Sequence, residues 1–368
     1  MNLGQLLIIG FDGSEMSPRL ASLLTRIQPG GVILFARNIT GAAQTYNLLR
    51  ECQKCVAEPL FTCVDLEGGT VDRLRNVLAP APSAAAVFAS GNRKLFREHG
   101  RIIGENCRAL GFNVDFAPVL DLAFEASRKV MGSRSVSADP KAVVGYAREF
   151  LRGLDDAGVL GCGKHFPGLG EGTLDSHLEL PVIQKTLKKM WAEDLYPYRA
   201  LRSRLPFVMV AHAAYPDVTG KPEQASLSKK WITGILRQRI EYKGLIVSDD
   251  LEMGAVLNSS PVEETAAEHM RAGGDLVLIC HKEELVVRGY EGLVRAAEKE
   301  RRFAARVAEA GRRIERFKRR RLESGRRRGV APTQEKTARL TRRLWEFGEE
   351  VRVVSMERGT LDNQELPA

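Results

Sequence analysis

Eight short apolar runs recur between residues 6 and 280, each closed by turn-forming or ionisable residues. They are Leu6–Phe11, Val32–Ala36, Phe61–Val64, Val114–Ala117, Leu160–Gly163, Phe207–Ala211, Leu245–Ser248 and Leu276–Cys280. Most lack two-residue alternation, the mark of strands buried on both faces of a parallel sheet. The stretches between them are long enough for a helix, and Tyr146–Leu154 and Trp231–Ile240 have helical periodicity. Eight strand–helix repeats predict an α/β protein built as a (β/α)8 TIM-type barrel. No G-x-G-x-x-G follows the first run, which argues against an open dinucleotide-binding sheet.

The barrel is expected to be a single catalytic domain over residues 1–329, followed at 330–368 by a helical or partly disordered extension with a helix at Gln334–Phe347. No apolar run approaches the ~20 residues needed to span a bilayer, and the N-terminus reads as a strand without a signal peptide. Six cysteines in 368 residues do not make a disulfide framework. Cys52-x-x-Cys55 has no second pair to complete a zinc site, so buried thiols and a cytoplasmic setting are expected.

The net charge of +9 has one source. Residues 298–328 hold 14 Lys/Arg against five Glu, so the rest of the chain is formally neutral. Phe303, Val307, Ala310, Ile314 and Phe317 form one apolar stripe within that segment, as in a docked helix with solvated arginines around it. Anionic partners through Arg319–Arg321 and Arg326–Arg328 rest on charge alone at this level, so nucleic acid is not the expected partner.

The residues following each run are more informative than the runs. They are Asp12; Arg37 and Asn38; Asp65 and Glu67; Asp121; Lys164 and His165; His212; Asp249 and Asp250; and His281. Ionisable groups would be costly inside a barrel, but at its C-terminal mouth they form a polar bowl. Three segments concentrate the chemistry. The first runs Gly163-Lys164-His165-Phe166-Pro167-Gly168 and continues to Asp175-Ser176-His177. In a loop, an Asp175 carboxylate holding one nitrogen of His177 leaves the other free for proton transfer near neutral pH. In the second, Ser248-Asp249-Asp250, adjacent carboxylates alternate in direction, so one can face the bowl while the other bonds backbone or caps a helix. The third, Asp65-Leu66-Glu67-Gly68-Gly69 with Arg73, suits a hydroxyl-rich ligand or a structural ion pair.

Together these segments resemble the single-domain β-N-acetylhexosaminidases of glycoside hydrolase family 3, the enzymes of bacterial cell-wall recycling. The likeness rests on Leu34–Asn38, Val64-Asp65-x-Glu67-Gly68-Gly69, Phe116–Asp121, Arg134-Ser135, Lys164–Gly168 with Asp175-Ser176-His177, Ala211-His212, and Ser248–Leu251 with Met253, in order over residues 5–320. The resemblance implies a retaining exo-β-N-acetylglucosaminidase acting on peptidoglycan-derived fragments, a monomer whose partner is a small carbohydrate or muropeptide. Asp249 would be the nucleophile, and His177, held by Asp175, the acid/base. Asp65, Arg73, Arg134, Lys164, His165 and His212 would bind the sugar, with no metal or cofactor. Leu169 replaces a histidine of the family loop, Thr70 an arginine, and Ser133 a glutamate. These departures bear on the loop and on subsites beyond the cleaved sugar.

Four alternatives stay open. A histidine acid leaves the site less negative, so phosphate could replace water, giving a β-glycoside phosphorylase; another family 3 β-glycosidase specificity is equally allowed. A barrel metal hydrolase would use Asp12, His165, His212 and Asp249. A non-catalytic sugar- or nucleic-acid-binding protein would rely on the basic helix.

Overall fold

The structure, a computed structural model, describes residues 2–172, 179–322 and 329–360. Its strands are β1 (Leu7–Ile9), β2 (Gly31–Ile33), β3 (Phe61–Val64), β4 (Leu66–Gly68), β5 (Val71–Asp72), β6 (Val114–Asp115), β7 (Leu160–Phe166), β8 (Phe207–Val210), β9 (Leu245–Asp250) and β10 (Leu276–Ile279). Eight of them close a parallel barrel in the order β1-β2-β3-β6-β7-β8-β9-β10, with β1 pairing β10 through Leu7 and Val277. The remaining two, β4 and β5, form an antiparallel hairpin directly after β3. Every apolar run read as a strand is one.

Two strands run further than their apolar runs. β7 continues through Lys164 and His165 to Phe166, and β9 through Asp249 to Asp250. Charged residues can extend a buried ladder only when their side chains are neutralised, and the ionic partners described below do this.

Local signals set the helices around the barrel. Ser17 caps Pro18–Ile27 and Asp139 caps Pro140–Asp156, each accepting from the first turn, and each helix starts on the proline that fits there. Helices Arg93–Ala109 and Pro140–Asp156 pack together along their length. Glycines at their contact permit this, because a Cβ on Gly100 would fall 2.0 Å from the Phe150 carbonyl oxygen. Among the described residues no helix is long and apolar enough to cross a membrane.

The basic segment runs from the end of helix Glu283–Lys299, past Glu300, whose backbone is extended, into helix Arg301–Arg321, while Arg326–Arg328 lie outside the described residues. The second helix lies across the N-terminal end of the barrel. Phe303, Val307, Ala310 and Ile314 are buried, and the Phe317 ring packs edge-on to Phe61 and Phe207, the first residues of β3 and β8. The helix beginning at Gln334 reaches Glu357, ten residues beyond Phe347, because Val351 prolongs its apolar stripe. It buries Leu340, Leu344, Phe347 and Val351 and packs on helices Ala84–Ala89 and Arg93–Ala109. All six cysteines are free. Burial, with Cys55 and Glu51 nearby, pushes the Cys52 thiol up to about 12, far from reactive.

Candidate active site

At the C-terminal mouth of the barrel, β3, β7 and the segment after β6 bring together a chain of alternating charges. Lys164 Nζ lies 2.7 Å from Asp65 Oδ1 and 2.6 Å from Glu67 Oε1. Glu67 in turn receives two hydrogen bonds from Arg134, Nε to Oε2 at 2.8 Å and Nη2 to Oε1 at 2.9 Å. Burial works against charge on both Lys164 and Glu67, but their mutual attraction wins. The Lys164 ammonium is held well above its ordinary range and the Glu67 carboxyl well below its own. Below them burial raises the Asp115 carboxyl strongly, favouring its neutral form, while Oδ1 accepts from the Leu66 amide.

His165 continues the network. Its Nε2 lies 3.3 Å from Arg134 Nη2, which can only donate, so the ring proton sits on Nδ1 and is given to Asp121 Oδ2 at 2.6 Å. Asp121 also accepts the His165 amide and, through Oδ1, the Leu169 amide at 2.7 Å. One buried carboxylate therefore fixes the imidazole and the start of the loop leaving β7. Tyr215 adds to that anchor by donating to the Gly168 carbonyl at 2.7 Å. Leu169, standing in place of a polar residue, is buried among apolar neighbours.

Asp249 stands on β9, half-buried, with Oδ1 accepting the amide of Asp250 at 2.9 Å. Burial opposes its ionisation, yet His165, His212, that amide and Lys164 together hold the carboxyl below the ordinary aspartate value. Asp250 points elsewhere. Its Oδ1 accepts from the amides of Glu252 and Cys280, and its Oδ2 lies 3.3 Å from His281 Nε2. The alternation expected for the pair is present: Asp250 ties two loops together.

His212 requires a correction. The sugar-binding role expected of it needs an accessible ring edge, and the structure leaves none. Nε2 donates to the Asp250 carbonyl at 3.0 Å, Nδ1 accepts from Ser226 Oγ at 2.7 Å, and the side chain is fully buried. Burial lowers its pKa, so the ring stays neutral. It holds β9 beside Asp249 from behind and does not face the bowl.

The Arg73 guanidinium lies over the Phe35 ring at 5.6 Å, and its buried Nε has no hydrogen-bond partner among the described residues. A buried donor left open is costly until an acceptor arrives. Asp175 and His177 lie outside the described residues. Lys185 Nζ lies 3.2 Å from Glu171, 2.7 Å from Glu193 and 2.6 Å from Asp194, tying the residue before that stretch to the elements after it.

Two carboxylates outside the candidate set, Glu67 and Asp121, organise the network. Glu67 follows Asp65 at a two-residue spacing, a signal present in the sequence. Asp121 has no comparable local signal, since its partners are 44 and 48 residues away. The metal-hydrolase set does not converge. Asp12 pairs with Arg37 at 3.2 Å, and both imidazoles already have protein partners on each nitrogen. Among the described residues no group of three His, Cys, Asp or Glu is arranged to hold a metal.

Comparison with known proteins bears on this geometry. Residues 1–317 match the model of the glycosyl hydrolase family 3 N-terminal domain. A β-hexosaminidase of Alkalilimnicola ehrlichii is 39% identical over 76% of this chain and 82% of its own length. One from Haemophilus influenzae is 35% identical over 82% and 86%. Among solved structures, a family 3 β-N-acetylglucosaminidase from Paenibacillus superposes with a TM-score of 0.85 at 35% identity, covering 94% of this chain and 68% of that one. NagZ from Neisseria gonorrhoeae superposes at 0.76 and 27% identity, covering 95% and 97%.

Proposed function

The chain belongs to glycoside hydrolase family 3, and from that premise and the geometry of the barrel mouth we propose that it is a retaining exo-β-N-acetylglucosaminidase acting on peptidoglycan-derived fragments. Membership makes it a glycoside hydrolase of the β-N-acetylhexosaminidase kind. The observation that carries the mechanistic reading is the half-buried Asp249 carboxylate, kept ionised beside the bonded network of Lys164, Glu67 and Arg134.

In this reading an Asp249 oxygen attacks the anomeric carbon as the glycosidic bond breaks, and His177, oriented by Asp175, gives its proton to the departing oxygen. Water then attacks the glycosyl ester, His177 takes its proton, and Asp249 is released. A second carboxylate usually serves as acid/base in retaining enzymes. Here an imidazole takes that place, matched to neutral pH. Asp65, Lys164, Arg134, His165 and Arg73 hold the sugar, and the open Arg73 Nε offers a donor to one of its oxygens. A cytoplasmic setting belongs to the same reading and is supported by six free thiols.

The test compares chromogenic β-N-acetylglucosaminide with the matching β-glucoside. A site built to bond the acetamido group should favour the former by about 10²-fold or more in kcat/KM. Equal rates would remove the N-acetyl assignment. No turnover of any glycoside would remove the glycosidase. Detection of sugar 1-phosphate in phosphate buffer would replace hydrolysis by phosphorolysis, and muropeptides left intact would remove the peptidoglycan assignment.

A further inference from the structure

The charge that distinguishes this chain gathers at the end of the barrel opposite the carboxylate site. A cleft of about 1360 Å³ opens there between helix Arg301–Arg321 and the segments that precede β8, β9 and β10. Twelve lysines and arginines line it against three glutamates, and ten of the twelve are arginine. The sequence shows the helix; only the fold adds Arg204, Lys243 and their neighbours from other elements to the same wall.

The back of the cleft is over-supplied with positive charge. Buried Asp275 meets three guanidiniums, those of Arg237, Arg313 and, at 3.4 Å, Arg306. Glu309 also pairs with Arg306 and Arg313, so two carboxylates face three cations and the field facing the cleft stays positive. Towards the opening, Arg204, Lys243, Arg302 and Arg316 are solvent-exposed.

Shape and composition narrow the ligand. From Arg302 to Arg321 the helix runs for about 28 Å, the length of roughly eight nucleotides at about 3.4 Å each, so the cleft suits a polymer better than a single anion. Guanidinium forks pair with phosphate oxygens two at a time. A bilayer would want apolar anchors among the cations. The large apolar side chains that are exposed, Val182, Val330, Trp345 and Val353, all lie outside the cleft. We infer that this cleft binds the phosphate backbone of a nucleic acid, independently of the glycosidase site and without reading sequence.

Anisotropy of a labelled oligonucleotide of about 16 nucleotides, single-stranded and as a duplex, tests this with the full-length protein over a salt series. About five phosphate contacts predict a slope of log affinity against log salt near −3.5 or steeper for the single strand. Changing Arg204→Glu, Lys243→Glu, Arg302→Glu and Arg316→Glu together should weaken binding at least about 30-fold and flatten the slope, with glycoside hydrolysis unchanged. The four alanine replacements should act in the same direction, more weakly. A control with the same charge change at exposed sites elsewhere, Lys54→Glu, Lys94→Glu, Lys141→Glu and Arg339→Glu, should bind within about threefold of the parent. Equal losses in cleft variant and control would overturn the site. So would absent oligonucleotide binding by the parent protein, or association with anionic phospholipid vesicles that oligonucleotide does not displace.

Discussion

Glu67 accepts two hydrogen bonds from Arg134 and sits 2.6 Å from Lys164, all at buried or nearly buried atoms. Removing one member of such a set strands the others without water, which typically costs about 3–5 kcal/mol. Glu67→Ala should therefore lose about that much stability in urea unfolding. The pH dependence has a definite sign. The folded carboxyl titrates below its unfolded value near 4.3, so its contribution is full above that pH and disappears as pH falls towards the folded value. The acid limb of the parent should be steeper than that of Glu67→Gln. Asp249 differs in kind, because its carboxylate faces the bowl. Asp249→Asn should keep near-parental stability and lose on the order of 10³-fold or more in kcat/KM. An active variant would place the nucleophile elsewhere.

At the scale of elements, strand order and helix periodicity were readable because continuous apolar runs are a strong local signal. Their ends were not. β7 and β9 pass through Lys164, His165, Asp249 and Asp250, and what sustains them is Asp65, Glu67, Asp121 and His212, contributed from other segments of the chain. His212 misleads for the same reason, since its Ser226 partner is invisible to spacing. The basic helix shows a related limit: its stripe marks a docked face but does not include Lys318, which is buried over the Phe61 ring at 4.9 Å, donating to Gln5 Oε1 at 2.8 Å. Burial pulls its pKa down to about 7. The folded chain sheds this proton near neutrality while the unfolded chain keeps it to about 10.4, so stability should rise with pH between those values. Lys318→Met should raise Tm below pH 7 and abolish that rise. An unchanged pH profile would show that the ammonium stays charged in the fold.

Across the whole molecule, the barrel divides its labour between two ends, with ionised carboxylates at one mouth and arginines at the other. The helix Gln334–Glu357 lies beyond residues 1–317, which match the family, yet it covers apolar surface and pairs Arg343 with Glu98 at 3.0 Å and with Glu105. Deleting residues 332–368 should lower Tm by at least about 5 °C and increase binding of a hydrophobic dye, with the sugar site retained below the new transition. An unaltered melting curve would make the helix an appendage. The sequence motifs pointed to the ionisable residues of the barrel mouth because each stands at the end of an apolar run. The supporting shell was hidden because Asp121, Ser226 and Asp275 take their roles from distant partners.

The central claim, that residue 249 forms the covalent intermediate, is most directly tested by proton NMR of the first sugar released from a β-N-acetylglucosaminide, before the anomers equilibrate. Two displacements at the same carbon predict the β-anomer as initial product, converting slowly to the mixture. An α-anomer appearing first would mean a single inverting displacement by water and would contradict the account.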